Sequence, residues 1–292
     1  MKSFTYQAPS TLDQALTLLS ENNGRVRPMA GGTDLLVQLR SNLHDIDVVI
    51  DIKKIPEVNQ ISYNLGSGLI IGAAVTCAQI YETVDVVGHY PCLVDVASII
   101  GGIAIQNRAT FGGNLCNASP SGDAISAMIV LGAICNIAGS DGTRSIPIEH
   151  FCLSPGKNVL ERGEILLSIQ LPPPRANSGA TYLRFTPRAE MDIAVAGVGA
   201  AIELSDDLSK IISARIALAA VAPTPVLATA VAEILIGSAP TEHTFSLVAK
   251  VAKESVDPIT DVRGTAAQRR HLVGVLTRRS LTGALGRACG EG

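Results

Sequence analysis

Arg25-Val26-Arg27-Pro28-Met29-Ala30-Gly31-Gly32-Thr33-Asp34-Leu35-Leu36 is the stretch on which the fold turns. Arg25 to Ala30 reads as a strand, and it runs directly into a glycine pair. After the pair, Leu35, Leu36 and Leu39 recur at helical spacing. The glycines therefore sit between a strand and a helix. A backbone without Cβ atoms can approach a ligand closely, and it can turn successive N–H groups toward one anion. The Thr33 hydroxyl and the start of the following helix add donors and positive potential. A pyrophosphate suits such a cradle. Read plainly, the same residues are an ordinary turn.

A second glycine-rich stretch follows about eighty residues later, Gly101-Gly102-Ile103-Ala104-Ile105-Gln106-Asn107-Arg108-Ala109-Thr110-Phe111-Gly112-Gly113-Asn114. It has no strong periodicity and is expected to be a loop. The dinucleotide fingerprint G-x-G-x-x-G is missing. Gly66-Ser67-Gly68 followed by Gly72 has the wrong spacing and reads as a hairpin turn. The P-loop pattern is missing too. A dinucleotide bound here would lie on a fold other than Rossmann, with its phosphates between two separate glycine loops.

Around these loops the chain alternates elements. Ser10 and Thr11 precede Leu12, Ala15, Leu16 and Leu19, an amphipathic helix expected to stop near Asn23-Gly24. Strands are expected at Asp47 to Ile52 and Leu69 to Ala74. Thr76 and Gln79 then stand at capping-box spacing before a short helix. Pro91 opens a helix to about Ile100, and Ala124 to Leu131 is helix-prone. Ala133 to Ala138 and Thr143 to Pro147 read as strands joined through Ser140-Asp141-Gly142, with another strand at Ile165 to Leu171. Pro172-Pro173-Pro174 cannot continue a ladder, which places a domain boundary there, with domains 1–174 and 175–292. The second domain is expected to hold three strands, at Ala180 to Phe185, Ala194 to Leu204 and Ile211 to Ala219. Three helices follow, at Pro225 to Ile236, Thr241 to Glu254 and Thr265 to Leu285. Strands followed by helices make an α+β domain with an antiparallel sheet.

Composition excludes several classes. A net charge of −3, with no basic run longer than Arg269-Arg270 or Arg278-Arg279, gives no electrostatic footprint for nucleic acid. Those pairs read as a solvated face or a partner contact. Aromatics at 3% leave little for stacking single-stranded bases. No charged n-region leads into an apolar stretch and no run approaches membrane-spanning length, so no membrane span is expected and the default location is cytoplasmic. Cys77, Cys92, Cys116, Cys135, Cys152 and Cys289 form no C-x-x-C pair, which argues against an iron–sulfur or zinc site in this chain; most are expected to be reduced and buried. The histidines show no metal spacing either.

Ala30-Gly31-Gly32-Thr33-Asp34, Ala109-Thr110-Phe111-Gly112-Gly113-Asn114-Leu115 and Ser119-Pro120-Ser121-Gly122-Asp123-Ala124 together resemble the FAD-binding medium subunit of the xanthine dehydrogenase and carbon monoxide dehydrogenase family of molybdenum hydroxylases. The resemblance extends to the C-terminal Asp257-Pro258, Asp261-Val262-Arg263-Gly264 and Arg269-Arg270. It implies an α+β fold. The N-terminal PCMH-type domain would consist of two α/β subdomains, about 1–55 and 56–174, clasping FAD as in the broad family that includes vanillyl-alcohol oxidase. The C-terminal flavoprotein domain would carry an antiparallel three-stranded sheet.

By position, the resemblance assigns Met29, Ala30, Gly31, Gly32, Thr33, Asp34 and Leu35, with Thr110, Phe111, Gly112, Gly113 and Asn114, to the loops that hold the FAD pyrophosphate and ribityl regions. Asp123 matches a carboxylate that hydrogen-bonds FAD. Ile100 and Leu166 match apolar contacts, Arg184 stands where Lys is frequent, and Ile193 stands where some relatives place a Tyr against the isoalloxazine. Many members of the broad family tether FAD through a His near the first loop. Thr33 and Asp34 cannot, and Cys116 is a weak candidate, so the FAD is expected to be non-covalent.

The resemblance further implies an oxidoreductase subunit with no catalytic base of its own and no metal. A small partner subunit would supply 2Fe–2S clusters and a large one the molybdopterin site, as a heterotrimer assembled into a dimer of heterotrimers. Electrons would leave the FAD for NAD, a quinone or O₂. The missing cysteine motifs fit that division. Two rivals are a stand-alone FAD oxidoreductase of the cell-wall reductase type, which would need an acid or base beside the flavin, and a flavin-free assembly subunit, against which the intact glycine loops speak.

Overall fold

The computed structural model describes residues 2–21, 25–189 and 191–291. The first unit contains β1 (Thr5–Gln7), α1 (Leu12–Glu21), β2 (Val26–Met29), α2 (Leu35–Arg40) and β3 (Val48–Asp51). Its strands form a sheet in the order β1-β3-β2, with both pairings parallel. All four residues of β3 are buried, as a central parallel strand covered on both faces requires, and its β-branched run meets that need. In α1 the apolar face buries Ala15 and Leu19, and the Thr11 hydroxyl accepts from the Gln14 N–H. The expected stop at Asn23-Gly24 lies outside the described residues.

The second unit contains β4 (Ile61–Asn64), β5 (Gly68–Gly72), α3 (Cys77–Glu82), α4 (Val84–His89), α5 (Pro91–Ala97), α6 (Ile103–Gln106), α7 (Phe111–Asn117), α8 (Asp123–Val130), β6 (Ile134–Gly139), β7 (Gly142–Pro147), β8 (Cys152–Ser154), β9 (Lys157–Asn158) and β10 (Ile165–Leu171). A five-stranded sheet runs β4-β5-β10-β6-β7, antiparallel at every pairing, while β8 and β9 form a small hairpin of their own. The parallel pattern of the first unit therefore does not continue here. Thr76 and Gln79 form the expected capping box on α3, and Gly66-Ser67-Gly68 turns the β4–β5 hairpin. The expected loop at 101–114 needs correction, because it contains α6 and the start of α7. Helices of four and seven residues are too short to display a 3.6-residue repeat, so periodicity could not reveal them.

After Leu171 the chain runs through the three prolines with neither helix nor strand until β11 (Ser178–Phe185). Then follow β12 (Ala196–Leu204), β13 (Ile211–Ala219), β14 (Val226–Leu227), α9 (Thr229–Glu233), α10 (Glu242–Glu254) and α11 (Ala266–Ala288). The antiparallel sheet has the order β11-β12-β13-β14, so a short fourth strand joins the expected three. That strand also corrects the helix expected from Pro225 to Ile236. Val226 and Leu227 pair with Leu218 and Ala217, the Ala228 N–H donates to the Ile216 carbonyl, and only Thr229–Glu233 remains helical. Pairing to a sheet edge overrides local helix propensity.

A single core joins the second unit to the C-terminal sheet, running from Phe111, Leu115 and Ile125 to Tyr182 and Ala217. Arg269, expected on a solvated face or at a partner contact, is instead 4% exposed. It donates to the carbonyls of Val195 and Ala220 and pairs with Asp261. Buried cysteines are fewer than expected: Cys77, Cys92 and Cys135 are buried, Cys116 and Cys152 half-buried and Cys289 exposed, and all are free thiols. Among the described residues no helix is long and apolar enough to cross a membrane.

Candidate functional site

A cavity of about 620 Å³ opens between the first unit and the second. Its walls include Met29 to Leu35, Ile100, Thr110, Gly112, Gly113, Asn114 and Leu166, so the two glycine loops do converge on one space. The first loop leaves β2 at Met29 and enters α2 at Leu35; the second leads into α7, whose first turn is capped by the Thr110 hydroxyl accepting from the Gly113 N–H at 2.8 Å.

The glycines serve two different purposes. Gly31 is pressed onto the second loop: a Cβ there would lie 1.9 Å from the Arg108 carbonyl oxygen. Gly112 is pressed in the same way against Ala73. Both approach the protein's own backbone, which lets the loops meet, whereas Gly32 supplies a left-handed backbone at φ +79°. A further tie crosses from helix to helix, since the Gln38 side chain on α2 donates to Asn117 Oδ1 on α7 at 2.9 Å.

One feature of the walls asks for a ligand. No hydrogen bond within the described residues engages the N–H groups of Gly31, Gly32, Thr33, Asp34 or Leu35, five successive donors lining the cavity. Asn114 Oδ1, which has no hydrogen-bond partner among the described residues, is sealed off toward Gly122 and is not open to a ligand. Unpaired polar groups are expensive unless a ligand or solvent satisfies them. Asp34 makes no cap bond with its side chain, and desolvation raises its carboxyl above its ordinary value. The volume lies within the ~300–1,000 Å³ usual for cofactor pockets. The donor row and the two loops in contact fit the pyrophosphate of an FAD.

Four expected residues lie elsewhere. Phe111 is fully buried in the core, and Ile193 is exposed away from the cavity walls. Asp123 and Arg184 find each other: Arg184 Nη1 donates to Asp123 Oδ2, its Nη2 donates to the Ile99 carbonyl at 2.7 Å, and the Tyr182 hydroxyl donates to Asp123 Oδ1 at 2.7 Å. Burial pushes the Asp123 carboxyl above its ordinary value, opposed by the Arg184 charge and by the hydrogen bonds from Tyr182 and Arg184. This pair belongs to a seam between the N-terminal units and the C-terminal sheet and helices. Arg287 meets Asp95 there at 2.6 Å, and Arg215 meets Glu149 at 3.0 Å.

Sequence reasoning missed the β8–β9 hairpin, which brings Leu153, Gly156, Lys157 and Asn158 to the cavity. Asn158 anchors it by donating to the Cys116 carbonyl at 2.8 Å. Pro155-Gly156 was the available signal, as that dipeptide marks a turn. Cys116 lines the cavity, and burial pushes its thiol up to about 12. It is therefore held as the thiol, a poor nucleophile.

Comparison with known proteins identifies the family of both parts of the chain. Residues 2–174 match the family described as the FAD binding domain in molybdopterin dehydrogenase, and residues 181–284 match the CO dehydrogenase flavoprotein C-terminal domain. The chain is 32% identical over 289 residues to the putative xanthine dehydrogenase FAD-binding subunit of Escherichia coli (strain K12), covering 98% of each. It is 29% identical over 284 residues to the carbon monoxide dehydrogenase medium chain of Hydrogenophaga pseudoflava, covering 97% of this chain and 98% of that one. Among solved structures, it superposes on a chain of reconstituted CO dehydrogenase from Oligotropha carboxidovorans with a TM-score of 0.93 at 27% identity, covering 98% of this chain and 99% of that one. A chain of quinoline 2-oxidoreductase from Pseudomonas putida 86 gives a TM-score of 0.91 at 29% identity, covering 100% of this chain and 99% of that one.

Proposed function

The chain belongs to the family of FAD-binding domains of molybdopterin dehydrogenases, and on that premise we propose that it is the medium subunit of a three-part molybdenum hydroxylase. A small subunit with 2Fe–2S clusters hands it electrons, a large molybdopterin subunit oxidises the organic substrate, and NAD, a quinone or O₂ takes the electrons away. The assembly is a dimer of heterotrimers. The observation that carries the reading is the row of five N–H groups from Gly31 to Leu35, without a hydrogen-bond partner among the described residues and lining one cavity with the second glycine loop.

In this reading Met29 to Leu35 and Thr110 to Asn114 hold the pyrophosphate and ribityl regions, and Ile100 and Leu166 offer apolar contact. Asp123 and Arg184 act on the site only through the wall they brace, since each already holds the other. FAD supplies the electron-transfer chemistry when bound, and the protein supplies binding and orientation. The chain's own part is to exclude a covalent tether: Thr33 and Asp34 stand beside the first loop, and Cys116 stays protonated. Exposed apolar side chains favour a partner-facing edge near Ile100. Ile103 is 75% exposed and Met191 59%, and the Met191 sulfur accepts from the Gly102 N–H at 3.2 Å.

Purification of the chain with whatever accompanies it tests the proposal. The expected product is yellow, acid releases FAD into the supernatant, and two further chains carrying iron and molybdenum co-purify. A folded, colourless protein would favour the assembly-subunit reading. A yellow protein with no companions would favour the stand-alone oxidoreductase.

A further inference from the structure

Lys53 is not among the residues lining the cavity, yet its ammonium reaches the first glycine loop from behind. It donates to the Ala30 carbonyl at 3.1 Å and to Asp51 Oδ1 at 2.6 Å. The Asp51 carboxylate also accepts from the backbone N–H of Lys53 at 3.0 Å and from the Tyr6 hydroxyl at 2.5 Å. One residue earlier, the Ile52 N–H donates to the Met29 carbonyl at 3.1 Å. Asn59 steadies the segment by donating to the carbonyls of Lys53, at 2.9 Å, and Ile55, at 2.7 Å. The carbonyls of Met29 and Ala30 are thus engaged by the chain just past β3, and the five N–H groups that follow are engaged by nothing in the described protein.

These two facts are linked by the geometry of the peptide unit. The Ala30 carbonyl and the Gly31 N–H belong to one planar trans unit, so they point in opposite directions. Fixing the carbonyl on Lys53 therefore fixes the N–H away from Lys53. Gly31 has no side chain to oppose a rotation of this unit, and a rotated unit would present a carbonyl oxygen where the cofactor needs a donor.

Building on the FAD site proposed above, we infer that Lys53, held by an Asp51 carboxylate that Tyr6 in turn fixes, is a positioning residue that locks the Ala30–Gly31 peptide so that its N–H is offered to the anionic part of the cofactor. The residue acts through the backbone and touches no reacting atom.

The test is a fluorescence titration of the full chain, stripped of flavin, with FAD, alongside thermal melts of the flavin-free proteins. Lys53→Met should raise the FAD dissociation constant about tenfold, the factor carried by one charge-assisted hydrogen bond. Because that variant also leaves the Asp51 carboxylate short of a partner, the double variant Asp51→Asn/Lys53→Met removes both charges together. It should show the same loss of affinity with a melting temperature close to that of the unmodified chain. Lys53→Arg, which keeps a cationic donor, should restore most of the affinity. An unmodified affinity in the double variant, or a loss in Lys53→Arg as large as in Lys53→Met, overturns the inference while leaving the FAD site standing. Failure of the unmodified chain to bind FAD overturns both.

Discussion

The cavity and the seam treat polar groups in opposite ways. In the seam each acid meets an arginine: Asp123 meets Arg184, Asp95 meets Arg287 and Glu149 meets Arg215. In the cavity a row of N–H groups has no hydrogen-bond partner among the described residues. The residues of that row are half-buried or exposed, so their N–H groups stay open to a ligand or to solvent, whereas a polar group left buried and unpaired would cost roughly 1–3 kcal/mol. The contrast separates residues that hold the protein together from residues held ready for a ligand, although the family resemblance places both kinds in one site. Changes in the seam should lower stability with or without FAD, and changes in the cavity should lower FAD retention first.

The largest effect belongs to Asp123→Ala. It strands the Arg184 guanidinium, 9% exposed at its side chain, and removes the acceptor for the Tyr182 hydroxyl. Breaking a buried pair by removing one partner costs about 3–5 kcal/mol, which urea unfolding of the flavin-free chain would register as a lower midpoint. If the variant lost FAD while keeping its unfolding midpoint, Asp123 would return to the cofactor and the contrast between the two regions would break.

Next comes Gly31→Ala, aimed at the place where the loops touch. The new Cβ would lie 1.9 Å from the Arg108 carbonyl oxygen, and the atoms it would meet are backbone, which cannot swing aside as the end of a side chain can. Overpacking of this kind costs about 1–3 kcal/mol. Spreading the loops should also lower the flavin content of the purified protein, and by more than the stability loss alone explains. Equal losses of flavin and stability would mean that the glycine pair is only a turn.

The behaviour of Asp123 also shows where reading the sequence reached its limit. The glycine pairs were legible because a strand, two glycines and a helix leave few alternatives, and the capping box at Thr76 and Gln79 was legible because it is local. The β3 strand announced itself by its β-branched run Val48-Val49-Ile50. What could not be read was which partner a polar residue takes when that partner is distant in the chain. Asp123 and Arg184 are 61 residues apart, and Arg269 reaches a carbonyl 74 residues away, so neither pairing leaves a local pattern. The β8–β9 hairpin and β14 escaped for another reason: two or three residues per strand are too few for an alternation, and only the fold supplies their partners.

The smallest effect is expected where the two regions overlap. Glu164 lines the cavity, yet it is paired as a seam residue would be, with Arg144 Nε on Oε1 and Nη2 on Oε2, both at 2.7 Å. The hydrogen bonds from Arg144 hold its carboxyl below the ordinary value, helped by the Glu161 N–H and the Arg144 charge and opposed by burial. A depressed carboxyl contributes stability that is fully present above its unfolded value, about 4.3, and that is lost as the pH falls through the folded value. The Arg144 side chain is 38% exposed, so solvent screening keeps the pair under about 1 kcal/mol. Glu164→Gln should therefore lower the urea midpoint slightly at neutral pH and match the unmodified chain once the pH is low enough to protonate Glu164. If pairing is what marks a structural residue, FAD affinity should fall no further than this small stability loss. A disproportionate loss of FAD would mean that a paired group on the cavity wall also serves the cofactor, and the distinction between paired and unpaired would have to give way to one based on position alone.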